Sequence, residues 1–169
     1  LADPYKVVFV DSLLQADSRP SERSAKTLAA KMRYFVEPAN AALHFDYRYF
    51  NDDWKINSHT FDIAWYQNAW FGIQVIPSIR LYNQSSSFFY EHFYTDTRAD
   101  GFYSTDYRLS EYGAVTYGLK IEKKFEDWSL NLQAEEYKSD GDLGLADAKS
   151  DNPALLDFSL LSLGLTYSF

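Results

Sequence analysis

Seven stretches of this chain alternate apolar and polar residues, and this period of two constrains the fold more than any other feature. Successive side chains of a strand point to opposite faces, so each stretch predicts a strand with one apolar and one polar face. The strands are predicted at residues 24–36, 41–51, 57–67, 72–84, 109–125, 128–139 and 155–169. They exceed the roughly 5–6 residues of ordinary soluble strands and suit tilted membrane strands, which need about 9–11.

The last nine residues show the pattern most clearly. Leu161, Leu163, Leu165, Tyr167 and Phe169 share one parity, and small polar residues share the other. The last strand of a bacterial outer-membrane barrel closes the cylinder and places its terminal aromatics in the interfacial belt. This segment resembles the C-terminal signal that the barrel-assembly machinery reads. An amphipathic edge strand that stops at a Phe is the alternative.

The connections between the predicted strands alternate in length. Short turns at residues 37–40, 68–71 and 126–127 alternate with longer loops at 51–56, 85–108 and 140–154, as in outer-membrane barrels with short periplasmic turns. Aromatic residues near the short turns predict one interfacial girdle: Tyr34, Trp65, Trp70, Phe71, Phe125, Trp128, Tyr167 and Phe169. A second girdle is predicted from Tyr47, Tyr49, Trp54, Phe61 and Tyr82.

Composition narrows the class of protein. The 169 residues suffice for one domain, and the absence of Cys excludes a disulfide framework and a thiolate metal site. A net charge of -8 argues against nucleic acid as a partner. The fold class predicted is an all-β antiparallel transmembrane barrel of the bacterial outer membrane. Its expected partners are outer-membrane lipid, lipopolysaccharide and the barrel-assembly machinery.

The strand count divides the chain into two parts. Residues 1–23 are predicted to form an external loop or short strand segment, and residues 24–169 the transmembrane strands that end in the assembly signal. Counting back from a periplasmic Phe169 places residues 1–23 outside the cell. Single-chain barrels have even strand numbers, so we expect further strands upstream in a larger barrel, unless residues 4–10 supply an eighth.

Several segments also resemble a known family. HFDYRYFNDDWKINSHT within residues 41–60 is the most specific, and EDWSLNLQAEEYKSDG and DFSLLSLGLTYSF add to it. They are similar to the C-terminal half of the DUF3570 outer-membrane proteins of the Gram-negative envelope. The resemblance implies a longer precursor with a signal peptide and an envelope partner of a redox kind. It implies no activity and no catalytic or ligand residues.

Charged residues on the polar parity predict a cluster that lines the lumen: His44, Asp46, Arg48, Asp62, Arg80, Lys120, Glu122 and Glu135. One interpretation is that the cluster sets ion selectivity or holds a ligand. The other is an ion-pair network that braces the interior, because interior charges need partners. A metal site at His44 and Asp46 lacks an evident third ligand, and no catalytic residue or metal site is predicted.

The predicted external loops carry two further features. The aromatic residues Phe88, Phe89, Tyr90, Phe93 and Tyr94 are costly in water unless they fold over the mouth or contact a partner. Two groups of carboxylates offer sites for divalent cations: Asp96, Asp100 and Asp106 in one loop, and Asp140, Asp142, Asp147 and Asp151 in another. Neither has the spacing of an EF-hand loop, and a solvated acidic surface bridged to lipopolysaccharide is the alternative.

Three classes of function follow from these predictions. The first is porin-like passage of small polar solutes or ions through a charged lumen. The alternative is a barrel scaffold that sheathes or anchors an envelope partner protein. The third is an outer-membrane lipid hydrolase, but His44, His59 and His92 have no evident Ser partner and the sequence lacks a nucleophile elbow. The chain is therefore predicted not to be an enzyme.

Overall fold

The computed structural model describes residues 7–11, 13–144 and 155–168. Its regular elements are nine strands and three short 3-10 turns. The strands are β1 (Val7–Val10), β2 (Leu13–Ala16), β3 (Ala25–Val36), β4 (Ala41–Asp52), β5 (Asn57–Asn68), β6 (Ile73–Gln84), β7 (Tyr112–Lys124), β8 (Trp128–Asp140) and β9 (Asp157–Tyr167). No helix among the described residues is long and apolar enough to span a membrane.

Strands β3 to β9 form one antiparallel sheet in which each strand pairs with its neighbours in sequence. All seven predicted strands are present and have 11 to 13 residues each, so the all-β antiparallel prediction is confirmed. The sheet is open: within the described ranges, β3 pairs only with β4 and β9 pairs only with β8.

Tight turns at one end of the sheet set the register. After the 3-10 turn Glu37–Ala39, Asn40 adopts a left-handed conformation with φ of 46°, which Asn tolerates better than most residues. Its N–H donates to the carbonyl oxygen of Glu37 at 3.0 Å. The turn places Val36 opposite Ala41, and because the side-chain period is two, this register decides which face each residue of β3 and β4 occupies.

One face of the sheet, which we call the apolar face, carries apolar residues on all seven strands, with the ion pair of Glu136 and Lys138 on β8 as a charged exception. It carries Leu28, Met32, Phe45, Ile63, Ile79, Leu119, Ile121, Leu132, Leu161, Leu163 and Leu165. Many of these side chains are exposed, and Leu163 reaches 73%. The hydrophobic clusters of buried residues lie elsewhere, so the sheet does not bury this face against the described part of the chain.

Most of the buried apolar residues instead form a compact body at the end of the sheet opposite the short turns. We call it the cap, and it comprises residues 7–11, 13–24, 53–56 and 85–111. One cluster contains Val8, Val10, Tyr94 and Tyr103. The other contains Trp54, Ile56, Phe89 and Leu109. Aromatic and aliphatic burial therefore stabilises the loops of this protein rather than one face of its sheet.

The first strands belong to the cap. β1 pairs with β2 as a separate two-stranded sheet, so residues 7–10, the described part of the segment 4–10, do not add an eighth strand to the large sheet. Strand β2 lies within residues 1–23, where the sequence predicted an external loop or short strand segment, and Leu13–Ala16 pairs with β1. β7 likewise begins at Tyr112 rather than residue 109, since Tyr107–Leu109 forms a 3-10 turn.

Candidate functional site: the polar face and the cap

The face opposite the apolar face, which we call the polar face, carries all eight residues predicted to line a lumen. They are His44, Asp46, Arg48, Asp62, Arg80, Lys120, Glu122 and Glu135. One cross-strand row runs from Lys31 on β3 through Asp46 and Asp62 to Arg80 on β6. Four charged side chains therefore lie next to one another across the four neighbouring strands β3 to β6.

Within this row two carboxylates face each other directly, which alone would be destabilising. Asp46 and Asp62 are cross-strand partners on β4 and β5. Arg33 holds Asp46 with two hydrogen bonds, of which the Nη2 to Oδ2 bond is 2.9 Å. Arg80 Nε donates to Asp62 Oδ1 at 2.5 Å. The two ion pairs offset the repulsion, and both carboxylates are already occupied by arginines.

The eight residues lie on one face but do not form one site. Five of them, His44, Asp46, Arg48, Asp62 and Arg80, line an open cavity of about 270 Å³, which we call the middle cavity. Lys120 and Glu122 form an ion pair of 2.7 Å and line another cavity of about 410 Å³. Glu135 accepts a hydrogen bond from Gln133 at 2.9 Å and lines a third, with a volume of about 190 Å³.

Each His in the chain lies against a Tyr. The ring of His44 is 4.0 Å from that of Tyr66. The Tyr47 hydroxyl lies 2.8 Å from His59 Nδ1. His92 Nδ1 in the cap lies 3.0 Å from its Tyr partner at position 90. No three His, Asp or Glu side chains in the described segments are grouped to hold a metal.

The aromatic loop residues mostly pack inside the cap. Phe89 is fully buried and meets Trp54 edge to face at 5.1 Å, while Phe88 and Tyr90 pack against the same cluster. The buried Tyr94 hydroxyl donates to the Phe89 carbonyl at 2.6 Å and accepts from the Ser104 N–H at 2.7 Å. Burial raises the pKa of Tyr94 to about 12. Of the five residues, only Phe93 stays largely exposed.

The aspartates of the same loop do not share a cation site. Asp106 is buried and accepts hydrogen bonds from Arg19 Nη2 at 3.0 Å and Arg108 Nη2 at 2.7 Å. Burial alone would raise the pKa of Asp106, but these hydrogen bonds hold it well below its usual range. Asp100 is hydrogen-bonded by Arg98, which lowers its pKa, and Asp96 accepts from Thr95.

The second acidic loop is described only in part. Asp140 accepts a hydrogen bond from the Asp142 N–H at 3.1 Å, which is a local turn contact rather than a ligand arrangement. Asp147 and Asp151 lie outside the described residues.

Cap and polar face meet around an open cavity of about 540 Å³, which we call the upper cavity. The sheet contributes Arg48, Phe50, Ser58, Thr60, Tyr82 and Gln84, and the cap contributes Arg19, Arg23, Trp54, Ile56, Asp106, Arg108 and Leu109. Four arginines and one aspartate therefore line it. Because both parts of the protein contribute side chains, the cap extends over the upper end of the polar face.

Aromatic side chains mark the short-turn end of the apolar face. Exposed residues there are Tyr34, Trp70, Phe71, Phe125, Trp128 and Tyr167, and Phe71 reaches 89%. Phe169 lies outside the described residues. The predicted second girdle is wrong for two residues, because Trp54 is buried in the cap and Tyr82 lies on the polar face. Tyr47, Tyr49 and Phe61 lie on the apolar face.

Comparison with known families decides the relationship of the chain. Residues 1–159 match DUF3570, described as a protein of unknown function. The chain belongs to the DUF3570 family. The match confirms the resemblance noted from the sequence, while the family description names neither a membrane nor an activity. No curated protein and no solved structure matches the chain significantly.

The DUF3570 chain also contains site residues that its sequence pattern did not single out. Arg33 is opposite His44 and could have been found by pairing β3 with β4 across their short turn. Arg19 and Arg23 could not, because they lie in a stretch without period. Arg23 is held by Asp52 at 2.5 Å and lies 4.5 Å over the Trp54 ring, two contacts that only the folded cap creates.

Proposed function

We propose that the DUF3570 sheet is part of the wall of a bacterial outer-membrane β-barrel that passes small polar solutes or ions. One observation carries this proposal. Seven consecutive strands expose apolar residues on one face, while most charged residues at the middle of the sheet, Glu136 excepted, occupy the opposite face. In such a barrel the apolar face contacts lipid and the polar face lines an aqueous lumen.

The dimensions and the aromatic residues support this orientation. The strands have 11 to 13 residues, and a tilted strand crosses hydrocarbon with about 9–11. An apolar surface of this extent is unusual on a soluble monomer, where contiguous patches rarely exceed a few hundred Å². The exposed Trp70, Phe71 and Trp128 at the short-turn end have the amphipathic or bulky rings of an interfacial girdle.

The free edges of the sheet require further strands in a bilayer. β3 and β9 each have one side without a strand partner among the described residues. Unpaired backbone N–H and C=O groups cost several kcal/mol each in hydrocarbon, so only a closed sheet is stable there. We therefore include in the proposal that additional strands pair with the outer sides of β3 and β9 and complete the barrel.

Conductance across a planar lipid bilayer tests the passage of solutes. Discrete ion-sized current steps are expected after insertion of the folded protein, because paired and unpaired charges on the polar face favour a water-filled lumen. Heat-denatured protein at the same concentration is the control for detergent artefacts. A folded, inserted protein that produces no current steps would contradict the proposal of passage.

A scaffold for an envelope partner is the second candidate, and the outer surface of the cap favours it. On the β1–β2 hairpin, Val7, Phe9, Leu13 and Leu14 are exposed apolar residues on a part of the protein that lies beyond the sheet. Such a patch is typical of a protein contact. An electrically silent barrel that copurifies with one envelope protein in constant proportion would support the scaffold over the channel.

A further inference from the structure

The side chains that line the upper cavity carry an excess of positive charge. It is lined by Arg19, Arg23, Arg48 and Arg108 but by a single carboxylate, Asp106, although the chain as a whole carries a net charge of -8. A water-accessible space with excess positive charge and low-dielectric walls concentrates anions. The overall acidity of the chain therefore does not predict the sign of the solute that this cavity favours.

Three of the four arginines are held by carboxylates. Arg19 and Arg108 bind Asp106, and Arg19 also contacts Asp17 at 2.8 Å. Arg23 binds Asp52. These pairs fix the arginines in place and satisfy part of their charge. These three arginines line the cavity, but their guanidinium groups are already bound to carboxylates of the protein.

Arg48 is different because its side chain has no hydrogen bond or ion pair with any described residue. Its cross-strand neighbours on the polar face are Ala29 and Thr60, which are neutral. The nearest carboxylates along the sheet, Asp46 and Asp62, are occupied by Arg33 and Arg80. Arg48 lines both the middle and the upper cavity, so its guanidinium is open to solutes in either space.

We propose that the upper cavity binds small organic anions, with the guanidinium of Arg48 holding a carboxylate or phosphate group. A guanidinium presents paired N–H donors that match both groups. The rings of Phe50 and Tyr82, both half-buried, flank the same space and suit an apolar body on the anion. This inference rests on the proposed function and names anionic solutes as the class that the lumen favours.

Calorimetric titration of the folded protein in detergent micelles tests the site without any need for transport. The probes are benzoate and phenyl phosphate, with benzyl alcohol as the neutral comparison. Both anions are expected to bind and benzyl alcohol is not. Arg48→Gln should weaken anion binding at least about tenfold, because it removes a charge-assisted pair of hydrogen bonds. Arg48→Lys should retain part of the binding, since it keeps the charge but loses the fork.

Lys31→Gln is the matched control. Lys31 is a cation on the same face, lines the middle cavity, and does not line the upper one, so its loss should change anion binding less than about twofold. Equal weakening by Lys31→Gln and Arg48→Gln would overturn the site in favour of a diffuse field. Absence of binding of either anion would overturn it outright, even if the protein conducts ions. Binding by a protein that is electrically silent would leave the site standing and remove the channel.

Discussion

Leu132→Arg is expected to destabilise the protein in phospholipid vesicles by about 2–4 kcal/mol, the cost of Arg on a lipid-facing site near the bilayer midplane. Leu132 lies in the middle of β8, between Ile121 and Leu163 on the apolar face. An Arg there has no carboxylate partner on its row and enters hydrocarbon if the apolar face contacts lipid. Urea unfolding of vesicle-inserted protein, followed by Trp fluorescence, measures the effect.

Gln133→Arg is the matched control, because it introduces the same side chain one residue further along the strand. Gln133 lies on the polar face and its amide donates to Glu135, so an Arg there gains a carboxylate partner and solvent, which offset the repulsion from its cross-strand neighbour Lys120. Its effect on the free energy of unfolding should stay within about 1 kcal/mol. Equal losses for the two variants, or a larger loss for Gln133→Arg, would mean that the apolar face does not contact lipid.

The second large effect is expected in the cap. Asp106→Asn should destabilise the cap by about 2–3 kcal/mol, because it removes the buried carboxylate that accepts hydrogen bonds from Arg19, which keeps Asp17, and from the largely exposed Arg108. Hydrogen exchange should show the loss at the N–H groups of Ser104 and Arg108, which donate to cap residues. The sheet amides of β7 and β8 should keep their protection.

Asp100→Asn supplies the control for this variant. Its carboxylate forms a local pair with Arg98 and is about one-third exposed, so its removal should cost about 0–1 kcal/mol. Loss of protection of equal size in both variants would contradict a special role for the buried cluster. Loss of protection throughout β7 and β8 would contradict the separation of cap and sheet.

The same cluster predicts how the cap responds to acid. The pKa of Asp106 lies well below its usual range in the folded cap, so its stabilising contribution is complete above the ordinary carboxyl pKa near 4. It is lost as the pH falls through the folded pKa. The protection of the cap amides against hydrogen exchange should therefore be constant between about pH 5 and pH 7 and should decline below about pH 4. A decline already centred near neutral pH would contradict the assignment.

The large sheet could be predicted from the sequence because its information is local. Alternation assigns faces within each strand, and short turns such as the one ending at Asn40 join neighbours in an antiparallel register. The predicted and observed limits of β4 and β5 differ by only one residue at their ends. For the same reason, the alternation in the sequence was sufficient to assign the eight charged residues to one face of the sheet.

The cap could not be predicted, because its order comes from contacts between distant residues. Arg19 and Asp106 are 87 residues apart in sequence, and Ser18 pairs with Tyr103 through two backbone hydrogen bonds. No repeating pattern in the sequence relates residues that are so far apart. The sequence therefore did not distinguish between internal packing and contact with a partner for the aromatic loop residues. The folded cap shows that Phe88, Phe89, Tyr90 and Tyr94 pack internally.

The orientation of the two faces can be tested most directly by electron paramagnetic resonance. The chain has no Cys, so Leu130→Cys, Asn131→Cys, Leu132→Cys and Gln133→Cys can each carry a single nitroxide on β8. In vesicles, the labels at 130 and 132 should collide preferentially with dissolved oxygen, and those at 131 and 133 with a water-soluble nickel chelate. The reverse alternation, or equal access of the chelate to all four positions, would contradict an outer-membrane barrel with a lipid-facing apolar side.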